Sequence, residues 1–475
     1  MLWRPAEKHR YCSIVMKFDF SRYPISNRAY SERPMGFVEP GAAAMLGAVS
    51  ELAMIETGSR AARERWQKTQ LRNLLAHAKQ RSGFWRARLG PRPPDAKLGT
   101  LPILSRPDVV KQVAQEGSLL RPADGLQVTK QATSGSSGVA VHFFASQMNA
   151  QYNGARYLAQ NFIEGKDLSL PRTRITTAKG ETTAKVANTS SGFTVEKNAS
   201  WLGGLEALFS SGPRKWIETF NPDLRGLVRE LRKDPVGCLL INPRMVSAIV
   251  SNSGIATLRE LGVSELHYFG ESLDPALHRE ITDAGIPVSS NYSSEEAGPI
   301  AFECGSIAGH YHVATSNVIV EVVDVAHELD GRKLGRVLAT ALHSYATPFI
   351  RYELGDLALL AERCPCGHDG PALHSLHGRT TNALLRSDGT MSAFLIRGAE
   401  LAKVVEFTEF RIRQVEPDRI VAEFGGRETL TPEETDAVTA FLQLRAGQDF
   451  RIEVIPRHTI DWGGNVKRQA FRREL

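Results

Sequence analysis

The stretch VGCLLINPRMVSAIVSNSG, residues 236–254, sets the fold, because a short apolar run is followed there by a segment with apolar residues at helical spacing. The same order recurs in the apolar runs ELHYFG (265–270) and IPVSSNY (286–292), which flank the helical segment DPALHREITDAG (274–285). Short apolar strands that alternate with helices are typical of a parallel sheet covered by helices. The sequence therefore predicts the α/β class, with a layer of parallel strands.

The pattern changes after residue 310, where strands follow one another, as in NVIVEVVD (317–324). Residues 410–475 predict a compact α+β unit, which consists of a hairpin, a helix that begins at the capping residue Thr431, and a further strand. The C-terminal part of the chain is therefore expected to form a unit of its own.

Length and composition bound the number of domains. With 475 residues, of which 42% are hydrophobic and 23% charged, the chain should bury a large core and split into at least two domains. We predict a large domain over residues 36–380 and a small α+β domain over residues 381–475. Residues 1–35 are interpreted as an N-terminal extension, in which Met16 opens a second candidate start.

The net charge and the number of cysteines limit the partners and the compartment that we expect for the protein. A net charge of +6 without a basic stripe between aromatic residues is compatible with an anionic small substrate and disfavours nucleic acid. No apolar run reaches the length that spans a bilayer, and no secretory signal is recognisable. Five cysteines, an odd number, argue against a disulfide framework and for a reducing compartment. We expect a cytoplasmic protein without nucleic-acid or membrane partners.

The stretch QATSGSSGVAV (131–141) interleaves hydroxyl side chains with Gly135 and Gly138. Successive backbone N–H groups in such a turn can form an anion-binding nest, and the hydroxyls add donors. No Gly-Lys-Ser/Thr follows, so the loop is not a Walker motif. A mobile surface linker is the alternative, since serine and glycine are also typical of linkers.

Two motifs place acids at or just after strands. NYSSEEAGPIAFEC (291–304) follows an apolar run, and FIRYELGD (349–356) ends in Gly-Asp. A glutamate at the end of a strand suits Mg²⁺, which prefers one or two carboxylates together with phosphate oxygens. An aspartate just past a strand can accept two hydrogen bonds from a ribose diol. Together these motifs indicate a nucleotide site.

A separate set of residues suits a metal. Cys304 precedes His310 and His312 in ECGSIAGHYH (303–312), and CPCGH supplies Cys364 and Cys366. Three cysteines and one histidine make a closed tetrahedral set of the kind that holds structural Zn²⁺. Buried cysteines without a metal are the alternative.

The ordered set TSGSSG, YFGESL, NYSSEEAGP, FIRYELGD and HGRTTN, from about residue 65 onwards, resembles the adenylate-forming superfamily. Its pattern is most similar to the phenylacetate–coenzyme A ligase-like branch, with its capsule-biosynthesis relatives. The resemblance implies a large N-terminal domain of α/β layers with a β-barrel-like part and a small mobile C-terminal lid that rotates near residue 380. It also implies that ATP, Mg²⁺ and a carboxylic acid give an acyl-adenylate and pyrophosphate, after which coenzyme A or an amine captures the acyl group. A homodimer is a candidate assembly.

The resemblance also implies roles for residues. Glu295 would ligate Mg²⁺, Asp356 would bind the ribose hydroxyls, and Arg379 would lie at the ribose, with Asn382 near the hinge. His312, rather than His310, would complete the zinc set. The remaining positions would hold phosphate or border the adenine: Thr133, Ser134, Gly135, Ser136, Ser137 and Gly138 for phosphate, and Gly270, Glu271, Ser272, Asn291 and Tyr292 for adenine. The acid pocket is expected between residues 201–209 and 241–250.

The sequence departs from the family pattern most clearly at GGNVKRQAFRREL (463–475), where Asn465 stands in place of the expected lysine. Lys467 lies two residues further on, so in an extended strand it would point to the same face. We therefore predict that Lys467 serves as the catalytic cation. A weakened adenylation step, an enzyme that uses a pre-formed activated species, a basic tail facing water, and a non-catalytic nucleotide-binding homologue stay open. A zinc-dependent nucleic-acid binder is the least favoured alternative.

Overall fold

The structure is a computed structural model that describes eleven stretches of the chain: 40–116, 127–133, 141–178, 181–206, 208–220, 222–329, 332–379, 383–394, 396, 398–462 and 471–475. The predicted extension, residues 1–35, lies outside these ranges.

The described ranges contain the following helices: α1 (Pro40–Thr57), α2 (Arg60–Arg81), α3 (Gly83–Leu89), α4 (Arg106–Glu116), α5 (Gln147–Ile163), α6 (Glu181–Ala187), α7 (Leu224–Leu231), α8 (Pro243–Ser253), α9 (Ala256–Glu260), α10 (Pro275–Asp283), α11 (Gly398–Leu401) and α12 (Pro432–Ala446). Short 3₁₀ turns lie at Leu98–Thr100 and Gly203–Leu205.

The strands in the same ranges are β1 (Val128–Ala132), β2 (His142–Ser146), β3 (Arg172–Thr177), β4 (Phe193–Asn198), β5 (Arg214–Thr219), β6 (Gly237–Ile241), β7 (Val263–Phe269), β8 (Val288–Ser294), β9 (Gly298–Glu303), β10 (His310–Val313), β11 (Val318–Leu329), β12 (Arg332–Ala341), β13 (Tyr352–Ala361), β14 (Ala372–Arg379), β15 (Ala383–Leu385), β16 (Met391–Ala393), β17 (Glu409–Glu416), β18 (Arg419–Gly425), β19 (Arg451–Arg457) and β20 (Phe471–Arg473).

Fourteen of these strands form one sheet, in the order β15-β16-β11-β12-β13-β14-β10-β9-β8-β7-β6-β3-β5-β4. Its strands β5, β3, β6, β7 and β8 pair in parallel, as the alternation of apolar runs and helices predicts. The strands from β9 to β14 pair antiparallel. Backbone pairing between the two halves runs through the four-residue strand β10. The predicted α/β class is confirmed.

Local sequence signals explain where the covering helices begin. Asn242 caps α8 by accepting a hydrogen bond from the Met245 backbone N–H at 2.8 Å, and Asp274 caps α10 in the same way. Each cap is followed by a proline at the first helical position, where its fixed φ favours the helix and no N–H is lost. The two helices therefore begin just after β6 and β7, so that the carboxyl ends of these strands open onto capped turns.

Separate hydrophobic clusters fill the two sides of the parallel layer. One cluster joins β6, β7 and β8 to helices α7–α10, with Ile241 and Leu266 fully buried. Another joins α1 and α5 to the segment from Trp201 to Phe209. Parallel strands that are covered in this way appear in the sequence as continuous apolar runs.

The C-terminal unit is a four-stranded sheet, β19-β18-β17-β20, packed on α12. α12 begins with a capping box, in which Thr431 accepts from the Glu434 N–H and Glu434 accepts from the Thr431 N–H. The predicted hairpin, capped helix and strand are thereby confirmed. Leu384 of β15 packs into this cluster, although β15 and β16 pair with the large sheet, so the domain boundary at residues 380–381 stays a prediction.

Among the helices that the structure describes, none combines the length and the apolar character needed to cross a bilayer.

Candidate active site and metal cluster

The candidate active site lies where parallel strands end. β7 and β8 pair so that Phe269 stands opposite Asn291, which brings the turn after β7 beside the last residues of β8. Gly270 opens this turn with a φ of 82°, a conformation that favours glycine, and the space where a Cβ would project is open. Ligands of open α/β sheets bind at such carboxyl ends.

A tyrosine of β8 and an aspartate of β13 meet beside this edge from two different parts of the sheet. The aspartate was expected just past a strand, but Asp356 lies inside β13 (Tyr352–Ala361). The Tyr292 hydroxyl of β8 donates to Asp356 Oδ2 of β13 at 2.5 Å. Asp356 also stands opposite Arg379 in the β13–β14 ladder, although the Arg379 side chain lies outside the described part. The structure thus brings together Tyr292, Asp356 and Arg379, and the resemblance implies that all three border the same nucleotide. Asn291, Tyr292, Glu295 and Asp356 are called the strand-end site below.

Two neighbouring glutamates have opposite environments. Glu295 is exposed, whereas Glu296 is 9% exposed and accepts a hydrogen bond from the Tyr352 hydroxyl at 3.0 Å. A buried carboxylate held by a protein donor supports the core, and an exposed one at a strand end can meet a cation. The environment therefore favours Glu295 over Glu296 as the metal-facing acid.

Asn291 is oriented by a histidine that the sequence analysis did not single out. His267 Nε2 lies 2.8 Å from Asn291 Oδ1, and His267 Nδ1 lies 3.0 Å from the Ser289 hydroxyl. Burial lowers the pKa of His267 to about 4, so the ring is neutral near pH 7. With Nε2–H donating to its carbonyl oxygen, Asn291 directs its amide N–H groups outward, toward the Tyr157 hydroxyl at 3.4 Å.

Arg174 supplies an exposed positive charge beside this site, and it too was missed. Its guanidinium lies 4.9 Å from the Trp216 ring centre and 5.5 Å from that of Phe269. Glu295 and Tyr157 lie near enough to act on it electrostatically, yet no carboxylate in the described ranges accepts a hydrogen bond from it. Because no carboxylate in these ranges is hydrogen-bonded to it, this guanidinium over aromatic rings is suited to binding an anion.

The turn after β7 is held from α8. Glu271 forms an ion pair with Arg244, whose Nε lies 3.0 Å from Glu271 Oε2, and Ser272 is exposed. The carboxylate of Glu271 therefore points toward α8, while the turn's backbone and Ser272 face outward.

Thr133 closes the base of the hydroxyl-rich loop. Its side-chain oxygen accepts hydrogen bonds from the Val141 N–H at 2.9 Å and from Arg106 at 3.1 Å, and the residue is 7% exposed. A contact between Thr133 and phosphate stays a prediction. The other predicted loop and tail residues lie outside the described ranges: Ser134, Gly135, Ser136, Ser137, Gly138, Asn382, Asn465 and Lys467.

The two segments expected to bound the acid pocket pack into different hydrophobic clusters. Trp201 and Phe209 pack with α1 and α5, whereas Val246 and Ile249 pack with β6–β8 and the helices that cover them. A pocket between the two segments stays a prediction.

Three cysteines and a histidine converge at the other end of β9. The possible ligand atoms of Cys304, His312, Cys364 and Cys366, called the cysteine cluster below, all lie within 4.8 Å of one another. The Cys304 and Cys364 sulfurs are 4.0 Å apart, and Cys366 Sγ is 3.3 Å from His312 Nε2. A tetrahedral zinc centre with usual bond lengths needs separations of roughly 3.8 Å and 3.5 Å. The donor set fits Zn²⁺ in type, number and spacing.

Local hydrogen bonds preform this cluster. The Ser306 N–H donates to Cys304 Sγ and the His368 N–H donates to Cys366 Sγ, each at 3.4 Å. His310 is the nearest rival ligand, with Nδ1 3.7 Å from Cys364 Sγ, but it is not part of the converging set and its ring stacks on His374. The geometry favours His312, as the resemblance implies.

A buried polar network lies between the cysteine cluster and the strand-end site. The Ser290 hydroxyl of β8 donates to Glu303 Oε2 at 2.8 Å and lies 2.8 Å from the Tyr311 hydroxyl. Glu303 directly precedes Cys304, and Tyr311 directly precedes His312. The strands that carry the two sites are therefore tied to each other by side chains as well as by backbone pairing.

The fold is shared with a known ligase. No protein-family model matches the chain, and no curated sequence does. A crystal structure of 2-hydroxyisobutyryl-CoA ligase in the postadenylation state, in complex with 2-HIB-AMP, matches with a TM-score of 0.60 and 17% identity over 89% of this chain and 91% of that chain. The same ligase with 2-HIB-AMP and CoA in the thioesterification state matches with a TM-score of 0.52 and 18% identity, covering 89% and 92%. The chain thus has the fold of an adenylate-forming ligase, with a separate C-terminal domain.

Proposed function

We propose that the chain is an ATP- and Mg²⁺-dependent ligase that activates a carboxylic acid. A carboxylate oxygen of the acid attacks the α-phosphorus of ATP, so that an acyl-adenylate forms and pyrophosphate leaves. The thiol of coenzyme A then attacks the acyl carbonyl, the thioester forms and AMP leaves. Within this class we assign the chain to the phenylacetate–coenzyme A ligase-like branch, on the motifs quoted above.

One observation carries the proposal: Tyr292, near the carboxyl end of β8, meets Asp356 of β13 at 2.5 Å, in a fold shared with a CoA ligase. An aspartate at this edge can accept both hydroxyls of a ribose, after the tyrosine hydroxyl has been displaced or shared. Asn291, oriented by His267, would offer its amide N–H groups to the base of a bound nucleotide.

The acid and the phosphates need cations. Arg174 offers a guanidinium without a hydrogen-bonded carboxylate in the described ranges, so it would hold the carboxylate or the α-phosphate. Positive charge placed where negative charge accumulates in the transition state is the largest contribution expected in such a site. Lys467 would provide a second cation from the C-terminal lid.

Two metal ions fit the described residues. Glu295 is an exposed carboxylate at a strand end and would ligate Mg²⁺, which when bound neutralises phosphate charge. The cysteine cluster would hold Zn²⁺ in a closed set of four protein ligands, with no position left for a substrate. The zinc would therefore contribute to folding rather than to the reaction.

Acid-dependent release of pyrophosphate from ATP tests the proposal directly. Purified, zinc-replete protein is assayed with Mg²⁺ and a panel of aryl, hydroxy and fatty acids, with hydroxylamine present to capture any acyl-adenylate as a hydroxamate. We expect release with one acid class and its loss in Asp356→Ala. ATP binding without acid-dependent release would instead identify a non-catalytic homologue.

The acceptor is tested in the same assay. With the preferred acid, coenzyme A should raise turnover and give a thioester, whereas an amine panel should not. Faster turnover with an amine would replace the thioester assignment by amide formation. Lys467→Ala should slow adenylate formation more than Asn465→Ala does, and equal effects would show that neither residue carries the catalytic charge.

A further inference from the structure

A second cavity lies outside the strand-end site and shares no residue with it. It encloses about 230 Å³ and is bounded by α1, α2, the first turns of α5 and the turn between β12 and β13. This volume lies below the ~300–1,000 Å³ of sites for drug-sized ligands, so only a small molecule or a small group fits. Met148, which is 40% exposed, lies at its rim and leaves the cavity accessible from solvent.

Aromatic rings form most of the wall of this cavity. Tyr152 stacks on His343 with ring centres 4.4 Å apart and an angle of 24°, and Trp66 meets His343 edge-on at 5.8 Å. Tyr345 completes the wall and is itself fixed by His77, whose ring packs against it at 5.0 Å. Contacts with His343 therefore hold Tyr152 and Trp66 in place, and His77 holds Tyr345.

One wall carries a negative charge. Glu51 of α1 lines the cavity and accepts a hydrogen bond from the Tyr152 hydroxyl at 2.9 Å. Within the described ranges, no lysine or arginine forms an ion pair with it. His343 does not supply the missing charge, because burial lowers its pKa and its Nε2 lies 3.0 Å from the Ser316 carbonyl oxygen. The cavity therefore combines aromatic rings with a carboxylate that no lysine or arginine in the described part of the chain pairs with.

We propose that this cavity binds a small organic cation that carries an alkylated ammonium group. Aromatic faces attract such a cation through their quadrupoles, and its methyl groups bury apolar surface against the same rings. A carboxylate on the wall adds a direct charge interaction and disfavours anions. Glu51 therefore makes the cavity unsuitable for the carboxylic acid of the proposed reaction, so the ligand belongs to a different chemical class.

A matched pair of small molecules tests this site. Choline and its uncharged isostere 3,3-dimethylbutan-1-ol are titrated into the full-length protein by isothermal titration calorimetry at constant ionic strength. We expect choline to bind and the isostere to bind about tenfold more weakly or not at all, since only the charge differs. Equal affinity would show an apolar cavity without cation selectivity, and the absence of choline binding would overturn the proposal.

Two substitutions of glutamate locate the binding. Glu51→Gln removes the charge but keeps an oxygen that can accept from Tyr152, so choline affinity should fall about tenfold or more. Glu64→Gln removes an exposed charge from α2, where Glu64 pairs with Arg60, and should leave the affinity unchanged. An unchanged affinity in Glu51→Gln would place the ligand elsewhere. If that variant fails to melt cooperatively, the choline–isostere comparison on the wild-type protein decides.

Discussion

The cysteine cluster and the strand-end site are assembled in opposite ways. The four ligand atoms of the cluster come from the loop after β9, from β10 and from the loop between β13 and β14, and folding alone brings them within 4.8 Å. The strand-end site joins Tyr292 to Asp356, 64 positions apart, and leaves Glu295 and Arg174 facing outward. One site is closed by the protein, and the other is open.

Because of this difference, we expect the cysteine cluster to contribute to stability and the strand-end site to contribute to catalysis. A closed set of protein ligands converts the affinity for its metal into folding energy, so damage there should appear as unfolding. Exposed charges at the strand-end site can interact with substrates, so damage there should change rates at nearly constant stability. The four predictions below test this separation.

The largest effect is expected at the adjacent glutamates. Glu295→Gln should lower the rate of pyrophosphate release roughly 10³-fold, in line with the loss of a group that acts on transition-state charge, with an unchanged melting temperature. Glu296→Gln should instead lower the melting temperature, because it weakens the buried bond from Tyr352. If Glu296→Gln lowered the rate and Glu295→Gln lowered the melting temperature, Glu296 would be the metal-facing acid.

If the cysteine cluster holds zinc as proposed, Cys364→Ser should abolish zinc binding and lower the free energy of unfolding by at least ~3 kcal/mol, measured by elemental analysis and denaturant unfolding. Cys238→Ser is the matched control. Cys238 is equally buried, and burial raises the pKa of its thiol to about 12, so it stays a neutral core residue. His312→Ala should lose the metal and His310→Ala should retain it, and the opposite result would exchange the two histidines.

A smaller effect is expected from Arg174→Gln, which should lower kcat/KM for the preferred acid about 30-fold, the cost of a charge-assisted hydrogen bond. Arg214→Gln serves as the control, because Arg214 also lies over Trp216, at 5.5 Å, but is paired with Glu196 at 2.7 Å. Equal losses in both variants would show that Arg174 acts only by packing on the tryptophan.

The smallest effect concerns His267. Its pKa is lowered to about 4 in the folded protein, so the unfolded chain binds the proton more readily, and the stabilisation present above pH 6.5 is lost as the pH falls toward 4. At pH 5.5 this loss should be about 1.4 kcal/mol relative to pH 8. His267→Gln should lack that part of the pH dependence in denaturant unfolding. An identical pH profile would show that the ring does not titrate with folding.

Several parts of the fold were predictable because the signals are local. Parallel strands buried on both faces appear as unbroken apolar runs, and the caps at Asn242, Asp274 and Thr431 mark where helices begin. The cysteine cluster was predictable in its members because donor type limits the choice. The choice of His312 over His310 rested on the resemblance, since both lie at strand positions of β10.

Other parts depend on which strands become neighbours, and sequence spacing carries no such information. Arg174 lies on β3 and Glu295 follows β8, so their proximity arises only from the order of the sheet. In the sequence, His267 is one polar residue in an apolar strand. The pairing of β7 with β8 brings it beside Asn291.

Strand β10 has a mechanical consequence. It pairs over only three positions with β9 on one side and three with β14 on the other, so the backbone ladder that joins the halves of the sheet is narrowest there. Tyr292 lies on one side of this narrow point and Asp356 on the other. A force that separated the halves would shear β10 first and draw the tyrosine from the aspartate. The cysteine cluster spans the same point, so a metal held there would act as a crosslink across this narrow junction between the two halves.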